Sequence, residues 1–241
     1  MASMRLGVVT AINRYPVKSM HAEPLDQAEL RWTGLAGDRQ YAFVRSGNRS
    51  RFPWLTGREV SDLVLHRPRF PDPANIPAQA PVVTTPDGAE FVLADPALAD
   101  RLAQAAGEPV HMMHLGKGCQ DAMPVSVVAT ETLRQLEAGF GAPLGLARFR
   151  INVVIESDPA LGRETDWCGG TLRFGDAGPS LVMSVGIQRC SMVTIDPATA
   201  TRDPSVLRMV ARDFDNQIGA YGTALHLGML HVGDTVWLDR A

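Results

Sequence analysis

The chain has few cysteines, few aromatics and no long apolar run, and each shortage excludes something. Only Cys119, Cys168 and Cys190 occur in 241 residues. The number is odd and the spacings fit no zinc finger, so neither a disulfide framework nor a structural zinc site is expected. Free thiols in a reducing compartment are expected instead. With no run of about 18 apolar residues, no transmembrane helix is expected. The opening Met1-Ala2-Ser3-Met4-Arg5-Leu6 lacks the apolar centre of a secretory signal, and a cytoplasmic protein follows as the expectation. Aromatics make up 6% and seldom interleave with the arginines, which argues against nucleic acid as a partner. GxGxxG, P-loop, GxSxG and HExxH patterns are all missing.

What is present is a foldable, turn-rich chain. Hydrophobic residues are 45%, enough for a sizeable core, and 22 glycines with 17 prolines favour β-structure with many turns. The length allows one large domain or two small ones. The net charge of −3 hides an asymmetry. Residues 1–70 hold eleven Lys/Arg against six Asp/Glu, and the remainder holds twelve against twenty. Most of the early excess is arginine, whose planar fork suits oxyanions better than lysine does.

The patterning predicts strands over Leu6–Tyr15 and, after a turn at Gly34–Asp38, over Gln40–Val44. Pro68, Pro71, Pro73, Pro77 and Pro81 mark a surface connection. Val82–Thr85 and Glu90–Leu93 flank a Pro86-Asp87-Gly88 turn as a hairpin. Asp95 as N-cap, Pro96 at N1 and Gly107 past the end define a helix over 96–106. A loop at His114–Gly118 marks the expected boundary between residues 5–115 and 116–241. Beyond it come a buried strand Val125–Ala129 and a helix capped by Thr130 and ended by Gly139 or Gly141. Strands are expected over Phe149–Glu156, Thr171–Phe174, Leu181–Val185, Met192–Ile195 and Thr235–Leu238, with a helix opened by Asp203-Pro204. Many strands and few helices indicate an α+β, mainly β, barrel-like architecture.

Chemistry concentrates in three places. Cys190 follows Arg189, whose charge favours a thiolate, although a strand would send the two side chains to opposite faces. A free cysteine is more often a small buried hydrophobe. Lys18 and Ser19, with Arg39 and Arg58, can clamp a phosphate; surface ion pairs are the plainer reading. Arg150 and Asn152, two apart on an expected strand, share a face and need polar partners if buried. The histidines, His111 and His114 included, lack spacing that favours a metal.

Taken together, these residues resemble the MOSC family, in its two-part form with an N-terminal β-barrel domain before the MOSC domain. The resemblance covers nearly the whole chain. It rests on Tyr15-Pro16-Val17-Lys18-Ser19, Gly37-Asp38-Arg39-Gln40-Tyr41, Leu55-Thr56-Gly57-Arg58-Glu59, Phe149-Arg150-Ile151-Asn152-Val153, Arg189-Cys190 with Thr194–Pro197, and Gly219-Ala220-Tyr221. It implies the molybdenum cofactor (Mo-molybdopterin), with Cys190 as thiolate ligand to a thiophilic metal. Lys18, Ser19 and Arg39 match positions at the phosphate end, and Thr56 and Arg58 match a loop beside it. Arg150 and Asn152 match positions that hold the pterin, and Asp121 matches an acidic catalytic position near the metal. Three departures stand out: Ile151 replaces the family's usual proline, Gln188 a smaller residue, and Ile218 an aromatic. The implied activity is reduction of small N-hydroxylated substrates, amidoximes or hydroxylamines. The chain ends soon after its last expected strand without a cysteine-rich segment, so electrons are expected from a separate redox protein. Rival readings are a Cys190 persulfide sulfur carrier and a non-catalytic cofactor carrier.

Overall fold

The computed structural model describes residues 2–72, 76 and 79–240. The first part of the chain carries β1 (Ala2–Arg14), β2 (Glu23–Leu25), β3 (Gln27–Arg31), β4 (Gly34–Leu35), β5 (Tyr41–Arg45), β6 (Arg67–Arg69), β7 (Val82–Thr84), β8 (Glu90–Val92), α1 (Pro96–Ala106) and β9 (Val110–His114). The second carries β10 (Val125–Ala129), α2 (Thr130–Phe140), β11 (Val153–Ser157), β12 (Thr171–Phe174), β13 (Ser180–Gln188), α3 (Pro204–Asp213), β14 (Gln217–His226), β15 (Gly228–His231) and β16 (Thr235–Arg240). The sheet β11-β10-β14-β13-β12-β16-β1 closes on itself through β1–β11, forming a seven-stranded barrel with β2 added beyond β1. The described residues are thus mainly β with three α-helices, and the α+β, mainly β, class is as expected.

Strand β1 shows how sequence irregularity becomes barrel curvature. Its buried residues Leu6, Val9 and Ile12 recur every three positions rather than two. Register shifts between Arg5 and Gly7 against β16, and between Val9 and Ala11 against β11, account for the extra residues. Gly7 sits where β11 comes closest, and a Cβ there would lie 2.0 Å from the Glu156 carbonyl oxygen. A cut at residue 115 leaves β1 and β2 on one side and the barrel they complete on the other.

Strand β10 is buried at every position because both its faces are covered. Val125, Val127 and Ala129 face the barrel core with Trp167, Phe174 and Leu238. Val128 faces a second core, where Leu136 of α2 and Val206 and Val210 of α3 pack on the barrel's outer wall. A mostly apolar run is what such a doubly covered strand requires, and its one polar residue, Ser126, is buried with its hydroxyl bonded to Asn152. The residues between β4 and β9 build a third core around Phe43, Leu55, Phe70, Leu98 and Leu102. Here α1 has the expected ends, with Asp95 accepting from the Ala97 amide and Gly107 at φ 71°.

Several expectations need correction. The segment expected as a strand from Phe149 begins as a 3-10 turn over Leu146–Phe149; Arg150 is left-handed (φ 54°), and the strand starts only at Val153. The Asn152 side chain explains the late start, since it bridges Ser126 and the Asn13 carbonyl across the barrel edge. Met192–Ile195 is not a strand. Ser191–Thr194 forms a 3-10 turn, with the Thr194 hydroxyl donating to the Ser191 carbonyl at 2.7 Å. Thr130 does not cap α2. Ala129 holds that place, and the carboxylate of Glu164 accepts from the Ala129 amide and the Thr132 hydroxyl instead. Gly141, not Gly139, ends that helix (φ 78°). Pro68 lies within β6 rather than in a connection, whereas Pro73 and Pro77 lie outside the described residues.

Candidate active site

One cavity of about 570 Å³ lies where the two parts of the chain meet, and it gathers the nine candidate catalytic and cofactor-binding residues. Lys18, Ser19, Arg39, Thr56 and Arg58 line it from the first part; Asp121, Arg150, Asn152 and Cys190 line it from the second. Three of its residues hold a left-handed backbone without being glycine: Ser19 (φ 65°), Arg39 (φ 50°) and Arg150 (φ 54°). Such conformations cost energy, and they cluster where side-chain aim matters more than local comfort.

The first wall is built on Tyr15–Ser19. The Lys18 amide donates to the Tyr41 carbonyl at 2.8 Å, which ties this segment to β5. The Lys18 ammonium is buried and donates to the Cys119 carbonyl and to Asp121 Oδ1, both at 2.7 Å. Burial lowers its pKa, and Asp121 opposes that shift. Arg39 follows the turn at Gly37 and Asp38, and its amide donates to the Tyr15 carbonyl at 2.6 Å. Its guanidinium pairs with Asp38 and donates to the Arg150 carbonyl at 2.9 Å and to Asn152 Oδ1 at 3.2 Å. Burial works against this cation, but Asp38 and Tyr15 outweigh it and raise the pKa.

A loop closes the same side. The Glu59 carboxylate accepts from the Thr56 amide at 2.9 Å and from the Thr56 hydroxyl at 2.6 Å. The Thr56 hydroxyl in turn accepts from Arg58 Nε at 3.3 Å, and the guanidinium lies 4.9 Å from the Phe52 ring centre.

On the second wall, Arg150 and Asn152 share the cavity, although not as alternate residues of one strand. The left-handed turn lays the Arg150 guanidinium over Tyr15, 4.4 Å from the ring centre, while Arg39 approaches the same ring at 4.7 Å. Arg150 Nη1 donates to the Met20 carbonyl at 2.6 Å, but Nη2 is buried without a partner. Burial, then Arg39, lowers the Arg150 pKa to about 10. Burial also lowers Arg189 to about 10, and that guanidinium bonds the carbonyls of Ile218 and Phe149 rather than a carboxylate. Arg148 ion-pairs with Asp196 at 2.9 Å. Among these cations Arg39, Lys18 and Arg148 have carboxylate partners, whereas Arg150 and Arg189 have no contact ion pair among the described residues, which leaves positive charge on the cavity wall.

The thiols differ sharply. Cys190 is exposed on the cavity wall and precedes the 3-10 turn. Cys119 is buried, which pushes its thiol up to about 11. Cys168 is raised as well, by burial first and then by Asp166 and Glu164. The Asp121 carboxylate hydrogen-bonds Lys18, which places it at the ammonium side of the cavity. Gln188 lines the cavity and accepts from Asn216 at 3.2 Å. Sequence reasoning missed Tyr15 as the ring contacted by two guanidiniums, the buried cation Arg148, and Tyr221 on the wall, and it gave Arg189 a role only toward the neighbouring thiol. Their signal lay in the Tyr15–Ser19 and Gly219–Tyr221 runs, but only the fold reveals the stacking.

Among the described residues no group of three or more His, Cys, Asp or Glu is placed to hold a metal ion. No helix among them is long and apolar enough to cross a membrane. The family description "MOSC N-terminal beta barrel domain" matches residues 6–116, and "MOSC domain" matches residues 111–237. No curated protein sequence matches the chain. The solved structure of the YuaD protein from Bacillus subtilis aligns with 100% of this chain and 98% of its own at 14% identity and TM-score 0.54, a likeness of fold. YiiM from Geobacillus stearothermophilus aligns with 48% of this chain and 53% of its own, at 19% identity and TM-score 0.37. The two domain matches together span the chain from barrel strand to barrel strand, and the chain belongs to the MOSC family, which binds the molybdenum cofactor.

Proposed function

We propose that this chain is a cytoplasmic molybdenum-cofactor oxidoreductase that reduces N-hydroxylated compounds, amidoximes or hydroxylamines, with electrons from a separate redox protein. The observation that carries this reading is one cavity joining an exposed thiol to a cationic wall with an unpaired guanidinium nitrogen. The residues fit the cofactor. Its phosphate matches Lys18, Ser19 and Arg39, and an acceptor on the pterin matches the orphaned Nη2 of Arg150. The exposed thiol of Cys190 is a soft donor suited to a thiophilic metal that brings its own sulfur ligands.

When bound, the cofactor supplies the two-electron chemistry at nitrogen. Converting N–OH to N–H and water takes two electrons and two protons. The chain's own residues bind and orient. Thr56 and Arg58 stand at the cavity edge, Asn152 is locked by Ser126 and Asn13, and Gln188 flanks the thiol beside Arg189. The test is anaerobic turnover of an arylamidoxime with a reduced viologen as donor, on protein assayed for molybdenum and pterin. Molybdenum with turnover supports the reading. Bound molybdenum without turnover would favour a cofactor carrier, and persulfide on Cys190 without molybdenum would favour a sulfur carrier.

A further inference from the structure

The two carboxylates at the clamp are held very differently. Asp38, paired with Arg39, has a side chain 0% exposed, and its second oxygen accepts from the Tyr15 amide at 2.7 Å. It is locked. Asp121, paired with Lys18, is 64% exposed while the lysine is 7% exposed. Lys18 is the sole hydrogen-bond partner of the Asp121 carboxylate among the described residues. The loop before it is anchored by backbone: the Leu115 amide to the Gln40 carbonyl at 2.8 Å, and the Cys119 amide to the Arg39 carbonyl at 2.6 Å. Asp121 lies two residues past the last of these anchors. Its side chain can turn to water while the Cys119 carbonyl stays on the ammonium.

We propose that Asp121 is an exchangeable counter-ion: it holds the buried ammonium of Lys18 in the empty clamp and yields it to the anionic end of the incoming ligand. This rests on reading the cavity as a cofactor site, and it changes the role expected for Asp121 from catalysis at the metal to loading of the clamp. The physical need is plain. A desolvated ammonium requires a compensating charge, and a partner in contact with water is the cheaper one to release. A phosphate and the Asp121 carboxylate on the same ammonium would repel each other at hydrogen-bond range. One of them leaves, and only Asp121 has solvent to enter.

The test is calorimetric titration of inorganic phosphate into cofactor-free protein for four chains: the parent, Asp121→Asn, Lys18→Met and the double variant. Exchange predicts that Asp121→Asn binds phosphate about five- to tenfold tighter than the parent. In the Lys18→Met background the same change gains less than about twofold, because no ammonium remains to be released. Weaker binding in Asp121→Asn would overturn the proposal, since the carboxylate would then be orienting Lys18 rather than competing for it. An equal gain in both backgrounds would also overturn it, as simple repulsion at a distance, and so would no phosphate binding by any of the four. The probe contains no molybdenum or pterin. A parent lacking the cofactor would sink the oxidoreductase reading while leaving this result standing on its own.

Discussion

Arg39→Met and Arg150→Met remove two cations that both contact the Tyr15 ring, yet they should have different consequences. Removing Arg39 strands Asp38, whose side chain is fully buried. Breaking one partner of a buried pair costs about 3–5 kcal/mol, so the cofactor-free protein loses that stability, contrary to what an exposed arginine would give. Arg150 has no carboxylate. Its loss forfeits the bond to the Met20 carbonyl, about 1 kcal/mol, and the Tyr15 contact, about 0.5–2 kcal/mol. It also relieves a desolvated charge with an unmatched N–H, a burden of about 1–3 kcal/mol. Methionine keeps much of the stem packing, so the losses and the relief largely offset and the cofactor-free protein loses no more than about 2 kcal/mol. Cofactor binding then loses a charged hydrogen bond of about 1.5–3 kcal/mol, or about 10- to 100-fold in affinity. Urea unfolding of the cofactor-free proteins and pterin content of the purified ones measure the two effects. The reasoning fails if Arg150→Met is as unstable as Arg39→Met, or if it retains the full pterin content.

Alkylation with iodoacetamide at neutral pH should label Cys190 before Cys119 or Cys168, and cofactor should protect it; first labelling at Cys119 would contradict its burial and raised pKa. Cys190→Ala should abolish turnover and leave folding intact, while Cys119→Ala and Cys168→Ala keep most activity. Burial lowers the pKa of His66 and of His21 below the ordinary value near 6.5. The unfolded chain therefore takes up these protons first, and stability should decline as pH falls below about 6.5 until the folded-state values are passed. A His21→Asn/His66→Asn variant should flatten that limb in urea midpoints measured against pH. Glu164 is fully buried and accepts from Gly219, Ala129 and Thr132, so Glu164→Ala should cost about 3 kcal/mol or more by stranding those donors.

Where local chemistry dictates structure, the sequence was readable. Asp95-Pro96 with Gly107 set both ends of α1, and four apolar residues in five, broken only by Ser126, marked the doubly covered β10. Where tertiary contacts overrule local preference, it was not. Phe149–Asn152 reads as strand, but the Asn152 side chain takes the bonds that a ladder would use. Strand β14 (Gln217–His226) has no counterpart among the sequence expectations, and it holds Gly219 and Gly222 within it. At Gly219 a Cβ would come within 2.8 Å of Ile151, and its φ of 81° is a conformation that glycine adopts freely. The cavity residues were found by residue type and resemblance. Their electrostatic roles, which cations are neutralised and which are not, depend largely on partners distant in sequence, such as Asp121 for Lys18 and Asp196 for Arg148, with Arg39 and its neighbour Asp38 the exception.

The central claim is that this cavity holds the molybdenum cofactor through Cys190. X-ray absorption at the molybdenum edge, on parent and Cys190→Ser protein with metal content measured alongside, tests it most directly. The account predicts about one molybdenum per parent chain and a sulfur shell that loses one scatterer in the variant. Parent protein without molybdenum, or an unchanged sulfur shell in Cys190→Ser, would contradict it.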